Sequence, residues 1–129
     1  MFNNGRAFCS FSVDDLEKAK EFYGKTLGIR IEVYEDMGMK LHLPGDSMIF
    51  VYPKSNHQPA SFTILNILVD DINEAIESLN NRGIKLIQYD NQHIPQDNKG
   101  VHRGLRLGKG PDIAWFEDPA GNVLSILQD

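Results

Sequence analysis

The sequence predicts an α+β fold made of two βαβββ modules. Three observations carry this. The first is an internal repeat: "AFCSFSVDDLEKAKEFYGKTLGIRIEV" from Ala7 returns as "FTILNILVDDINEAIESLNNRGIKLIQ" from Phe62. The second is the same change of pattern in both copies, from strand-like runs to a helical period and back. The third is the turn "EDPAGN" before a final alternating run. There Pro119 presets φ and Gly121 admits a positive φ.

The elements follow in order. Residues 7–13 and 62–69 read as short strands. "VDD" then opens a helix in each half. Asp14 with Glu17, and Asp71 with Glu74, have the spacing that places carboxylates on free backbone N–H groups and the positive dipole end. Leu16, Ala19, Tyr23 and Leu27 share one face of the first helix; Ile72, Ala75, Ile76 and Leu79 share one face of the second. Gly28 and Gly83 stop the helices. Aligning Gly28 with Gly83 needs a one-residue gap. The following strands are "IRIEVYE" from 29, "MKLHLP" from 39 and "SMIFVYP" from 47. In the second half they are "IKLIQY" from 84, "IAWFE" from 113 and "NVLSILQ" from 122. The modules therefore span about 6–53 and 61–129, within a single domain. The polar, proline-containing residues 53–61 link them. From Asp90 to Pro111 periodicity is weak; "GLRL" reads as strand and the rest as a mobile loop.

Composition narrows the function classes. Apolar residues make up 41% and charged residues 24%, the profile of a soluble globular domain. The net charge is -5 and no basic block occurs, which argues against a nucleic-acid partner. No apolar run is long enough for a membrane span, and no signal-peptide pattern opens the chain. Cys9 is the only cysteine, so the expected location is cytoplasmic. Cys9 itself reads as a buried, inert thiol in an apolar strand.

The two "VDD"-initiated helices and the closing "EDPAGN" together resemble the vicinal oxygen chelate superfamily, which includes glyoxalase I, extradiol dioxygenases, fosfomycin-inactivating enzymes and bleomycin-sequestering proteins. The resemblance covers nearly the whole chain. It implies curved mixed sheets around a cup-shaped cleft, commonly in a homodimer. In metal-using members, His and Glu on the first and last strand of each module hold a divalent ion. Carried over residue by residue, those positions are Phe8, Ile64, Ser125 and Phe50, or Ile49 if the turn aligns differently. None is a metal ligand, and a shift of one residue supplies at best the thiol of Cys9.

The expected protein is therefore a metal-free, cofactor-free relative. It would bind a small amphipathic or aromatic molecule in an apolar cup and sequester an antibiotic or metabolite. The ligand-binding candidates are Phe8, Phe50, Tyr52, Ile64, Asn66, Arg106, Trp115 and Ser125. If Ile49 and Val51 face the helices, Phe50 and Tyr52 face the cup. Arg103 or Arg106 could clamp a carboxylate. The alternative is a lyase, isomerase or dioxygenase-type enzyme, using non-standard metal ligands or a loop histidine as acid/base. His42, His57, His93 and His102 read as surface or loop residues. The functional alternative is that His93 or His102 reaches the pocket. No Ser-His-Asp arrangement is visible around Ser125.

Overall fold

The computed structural model describes residues 1–129, which divide into two compact units, Met1–Pro59 and Ala60–Asp129. The first unit holds β1 (Cys9–Val13), α1 (Leu16–Lys20), β2 (Arg30–Tyr34), β3 (Gly38–Leu43) and β4 (Ser47–Pro53). Its four strands form a mixed sheet in the order β1-β4-β3-β2, with β1 parallel to β4 and the other pairs antiparallel. The second unit holds β5 (Thr63–Leu68), α2 (Ile72–Asn81), β6 (His102–Arg103), α3 (Gly104–Leu107), β7 (Asp112–Glu117) and β8 (Val123–Gln128). Its sheet runs β5-β8-β7-β6, again with the outer pair β5 and β8 parallel. Two repeated modules of mixed sheet with few helices make this an α+β fold.

Strand alternation gives each sheet a covered face. In the first unit, Phe11, Val13, Met39, Leu41, Ile49 and Val51 lie on the side of the helix, and all but Phe11 are buried. The Phe11 ring lies 5.7 Å from Tyr23, which is fully buried on the helical segment. In the second unit, Leu124, Ile126, Ala114 and Phe116 supply the sheet side of the core, and Ile72, Ile76 and Leu79 the helix side. The Gln128 side chain accepts from the Ile72 backbone N–H, tying the end of β8 to the start of α2. Each such side chain, when fully buried, contributes about 1.5–3 kcal/mol.

The helix starts differ in detail. Asp71 caps α2 as expected, accepting from the backbone N–H groups of Asn73 and Glu74. In the first unit the cap is Asp15, not Asp14: its backbone is extended and its carboxylate accepts from the Lys18 N–H. Both Asp15 and Asp71 directly precede the first helical residue, which is where a side chain can reach back to the free donors.

The one-residue gap in the repeat has a structural counterpart. After Lys20 the first helix widens into a π-helical stretch, Glu21–Thr26. The wider turn absorbs the extra residue, so the chain still reaches Gly28 at a positive φ of 70°, as Gly83 does at 78°. It also rotates the buried face, so that Phe22 joins Tyr23 in the core and Leu27 is only half-buried.

Two predicted strands are not strands. Residues 84–89 lie beside β7 but form no ladder. The Ile87 N–H donates to the Trp115 carbonyl at 2.8 Å. Other backbone groups of the segment are taken by one side chain: the Gln96 amide donates to the Ile87 carbonyl and accepts from the Tyr89 N–H. The edge of β7 farther along is occupied by β6. "GLRL" is the short helix α3, closed by Gly108 in the left-handed conformation, with the Asp112 carboxylate accepting from the Leu105 N–H.

Gly38 starts β3 at φ 146°, and a Cβ there would collide with the Val51 carbonyl oxygen and press on the Phe50 ring. Gly38→Ala is expected to destabilise the protein by about 2–4 kcal/mol. Gly45→Ala also sits at positive φ but faces open space, and should cost about 1 kcal/mol. Urea unfolding of both variants against the parent measures the difference.

Candidate functional site

The faces opposite the helices hold most of the predicted site residues. In the first unit, Phe50 and Tyr52 alternate with the buried Ile49 and Val51, so their rings stand on the open face, half-buried. Phe8 directly precedes β1 and is 58% exposed. In the second unit, Trp115, Ser125 and Asn66 form one row across β7, β8 and β5. The Ser125 hydroxyl donates to Asn66 Oδ1 at 2.5 Å, and Ser125 is fully buried. Ile64 falls at a bulge: the β5 register steps from Thr63 to Leu65 against consecutive residues of β8. Arg106 lies apart from this row, exposed on α3.

Trp115 is buried, and Tyr89 covers it with an edge-to-face contact at 5.5 Å. Partial burial, then the nearby Glu117 carboxylate, push the Tyr89 phenol above its ordinary pKa. Sequence alternation could not reveal Tyr89 as a partner of Trp115, because residues 84–89 leave the strand ladder.

The open face of the first sheet carries more than the aromatic pair. Lys40 pairs in register with both Phe50 and Glu32, and Ser10 pairs with Phe50, giving one row across all four strands. The next row places Arg30, His42 and Met48 together. His42 donates from Nε2 to Glu32 at 3.2 Å. The Lys40 ammonium stands 5.1 Å above the Tyr34 ring. Hydrogen bonds from His42 and then Tyr34 hold the Glu32 carboxyl below the usual range, whereas the Tyr34 phenol raises Lys40. The signal for this cluster was in the sequence: Ile31, Leu41 and Ile49 point one way, so their neighbours point the other.

The remaining candidates resolve in different ways, and His93 is at the surface as expected. His102 is not a surface residue: it is buried, its Nδ1–H donates to the Pro95 carbonyl at 2.8 Å, and Nε2 faces the Lys109 carbonyl at 3.4 Å. His93 is exposed. His57 Nδ1 lies 2.7 Å from the Ser12 hydroxyl, drawing the residues after β4 toward β1. Cys9 is exposed, because it is the first residue of an edge strand and only its successors sit beneath the helix. Arg103 is committed internally, bonding Asp97 and Asn73 and pairing with Asp112. Asp97 also accepts from the Lys99 and Val101 N–H groups. Residues 90–111 are thus fastened by Gln96, Asp97, His102 and Arg103, which leaves less of a mobile loop than the weak periodicity predicts.

The donor set does not fit the divalent ion that the fold's metal-using members hold. At the positions that the resemblance assigns to the ligands stand two benzyl groups, a branched alkyl group and a hydroxyl already bonded to Asn66. No three His, Cys, Asp or Glu side chains converge as a metal-binding group.

A family model, the Glyoxalase/Bleomycin resistance protein/Dioxygenase superfamily, matches residues 6–126, and the chain belongs to that family. Solved structures similar to it include three with distinct names. One is a superfamily member from Sphaerobacter thermophilus: 21% identity, 97% of this chain and 98% of that one, TM-score 0.66. The fosfomycin resistance protein FosX from Listeria monocytogenes is 12% identical over 98% of this chain and 93% of its own, with a TM-score of 0.69. TnmS3, an antibiotic binding protein from a Streptomyces species, is 24% identical over 97% of each chain, with a TM-score of 0.64. At these identities the likeness shows the fold. No curated protein matches the chain. No helix is long and apolar enough to cross a membrane.

Two measurements probe these contacts. Burial raises the Asp97 carboxyl, but the Val101 and Lys99 N–H groups and Arg103 outweigh it, so its pKa is depressed. A depressed carboxylate stabilises fully above the ordinary value of about 3.9 and loses this as pH falls through the folded value. Asp97→Asn should therefore cost about 1–2 kcal/mol at pH 7, and the gap to the parent should narrow below about pH 4. Denaturant titrations at both pH values test it. Iodide should quench Trp115 weakly in the parent, and Tyr89→Ala should raise the quenching constant about twofold or more, since the covering ring is gone.

Proposed function

We propose that the protein is a metal-independent binding member of its family, taking a small amphipathic or aromatic molecule on these open sheet faces. One reading of the sequence carries the proposal: at the positions that the family resemblance assigns to metal ligands, this chain has Phe8, Phe50, Ile64 and Ser125. The aromatic groups Phe50, Tyr52 and Tyr34 stand on the same face of the first sheet. Apolar rings with a few oriented polar groups make a small-molecule surface, not a Lewis-acid site. Sequestration of an antibiotic or metabolite is the role we favour, and the antibiotic-binding neighbour TnmS3 supports it.

In the enzyme alternative, His102 is held inside the second unit by its Nδ1–H bond to the Pro95 carbonyl, which leaves the exposed His93 as the loop acid/base. The His42–Glu32 pair is the observation that keeps a metal-independent acid/base reading in view.

The test combines metal content with ligand stabilisation. Elemental analysis of purified protein should give well under one equivalent of Ni, Zn, Mn or Fe, and added metal should leave Tm unchanged. N-phenyl-1-naphthylamine at about 100 times its Kd should add about 2.7 kcal/mol of stability, about 10 °C in Tm. Phe50→Ala should weaken that probe about tenfold. Stoichiometric tight metal would sink the proposal.

A further inference from the structure

The open face of the first sheet has a charge pattern at odds with the rest of the chain. The protein carries a net charge of -5. Yet the two adjacent rows that include Phe50 hold the cations Arg30 and Lys40 against the single carboxylate Glu32. Glu32 is engaged with His42 at 3.2 Å. The Tyr34 and Phe50 rings lie 6.5 Å apart, and the absent side chain of Gly38 leaves room for the Phe50 ring over the backbone between them. The Lys40 ammonium therefore sits at the margin of an aromatic platform, anchored by its position over Tyr34.

We propose that this platform selects aromatic ligands bearing an acidic group: Tyr34 and Phe50 contact the ring system, Lys40 pairs with the anion, and Glu32 moderates the pairing. The proposal rests on the small-molecule reading above and names the ligand class that reading leaves open. The physical basis is that an ammonium with three donors is a strong partner for a sulfonate, carboxylate or phenolate. Its value rises where an apolar ring excludes water from one side. An uncharged ring of the same shape gains only the platform. Arg30, one row away, adds to the positive field without being needed for contact. Glu32 opposes it, so its charge sets how strongly anions are preferred.

The matched probes are 8-anilinonaphthalene-1-sulfonate and N-phenyl-1-naphthylamine, which share a ring system and differ in the sulfonate. Fluorescence titration should show the anionic probe bound about tenfold more tightly. Lys40→Met should remove most of that preference and leave the neutral probe within about twofold. Glu32→Gln should strengthen the anionic probe about two- to fivefold, and Lys85→Met, an exposed lysine of the second unit, should change neither probe. Circular dichroism and Tm confirm that each variant is folded, and the opposite signs for Lys40 and Glu32 exclude a general loss of structure. Equal affinity for the two probes, or Lys40→Met matching Lys85→Met, overturns the anion selectivity while leaving a neutral binding surface standing. Binding of neither probe overturns both readings together.

Discussion

Each unit has a four-stranded sheet and one principal helical segment, and that segment covers only one face of the sheet. The rest of each unit is arranged around that constraint. The helix takes the face of Val13, Leu41, Ile49 and Val51 in the first unit and of Leu124, Ile126 and Phe116 in the second. Because a strand alternates strictly, this assignment commits the intervening residues to the other face with no further choice. Phe50, Tyr52, Lys40 and His42 are where they are because their neighbours are core. A one-residue slip in β4 would send Ile49 and Val51 outward and bury Phe50 and Tyr52 under the helix.

The two units solve the same problem by different local means. The first helix is one residue longer between its "VDD" and its terminal glycine, and the π-helical stretch Glu21–Thr26 takes up the difference. The second unit departs further. In place of β2 it has the irregular run from 84 to 101 and the two-residue β6, both beside β7. Side chains replace ladder bonds there: Gln96 serves Ile87, Tyr89 and Gly100, and Asp97 serves Lys99, Val101 and Arg103. The open face becomes unlike that of the first unit. Trp115 and Ser125 are buried there, whereas Phe50 and Tyr52 remain half-exposed.

This asymmetry matters for function. Ser125, the position that the family resemblance assigns to a metal-binding carboxylate, has its hydroxyl buried and bonded to Asn66. The polar chemistry instead gathers on the first unit, where Glu32 is exposed and Lys40 and His42 are half-buried on the same sheet face.

The sequence by itself determined the repeat, the order of its main elements and the strand faces. These depend on short-range periodicity and on residue type at a countable position. Asp71 as a helix cap and Phe50 opposite Ile49 are of this kind. Tertiary structure decided what depends on distant partners. Residues 84–89 have strand-like alternation, yet Gln96 claims their backbone groups. His102 looks like a loop residue until Pro95 and Lys109 close around it. Arg103 looks free to clamp a ligand until Asp97, Asp112 and Asn73 take its guanidinium. The Lys40–Tyr34 and His42–Glu32 pairs join residues of adjacent strands. Their faces were legible, but their contacts were not, because strand register across a sheet is set by the packing of the core beneath it.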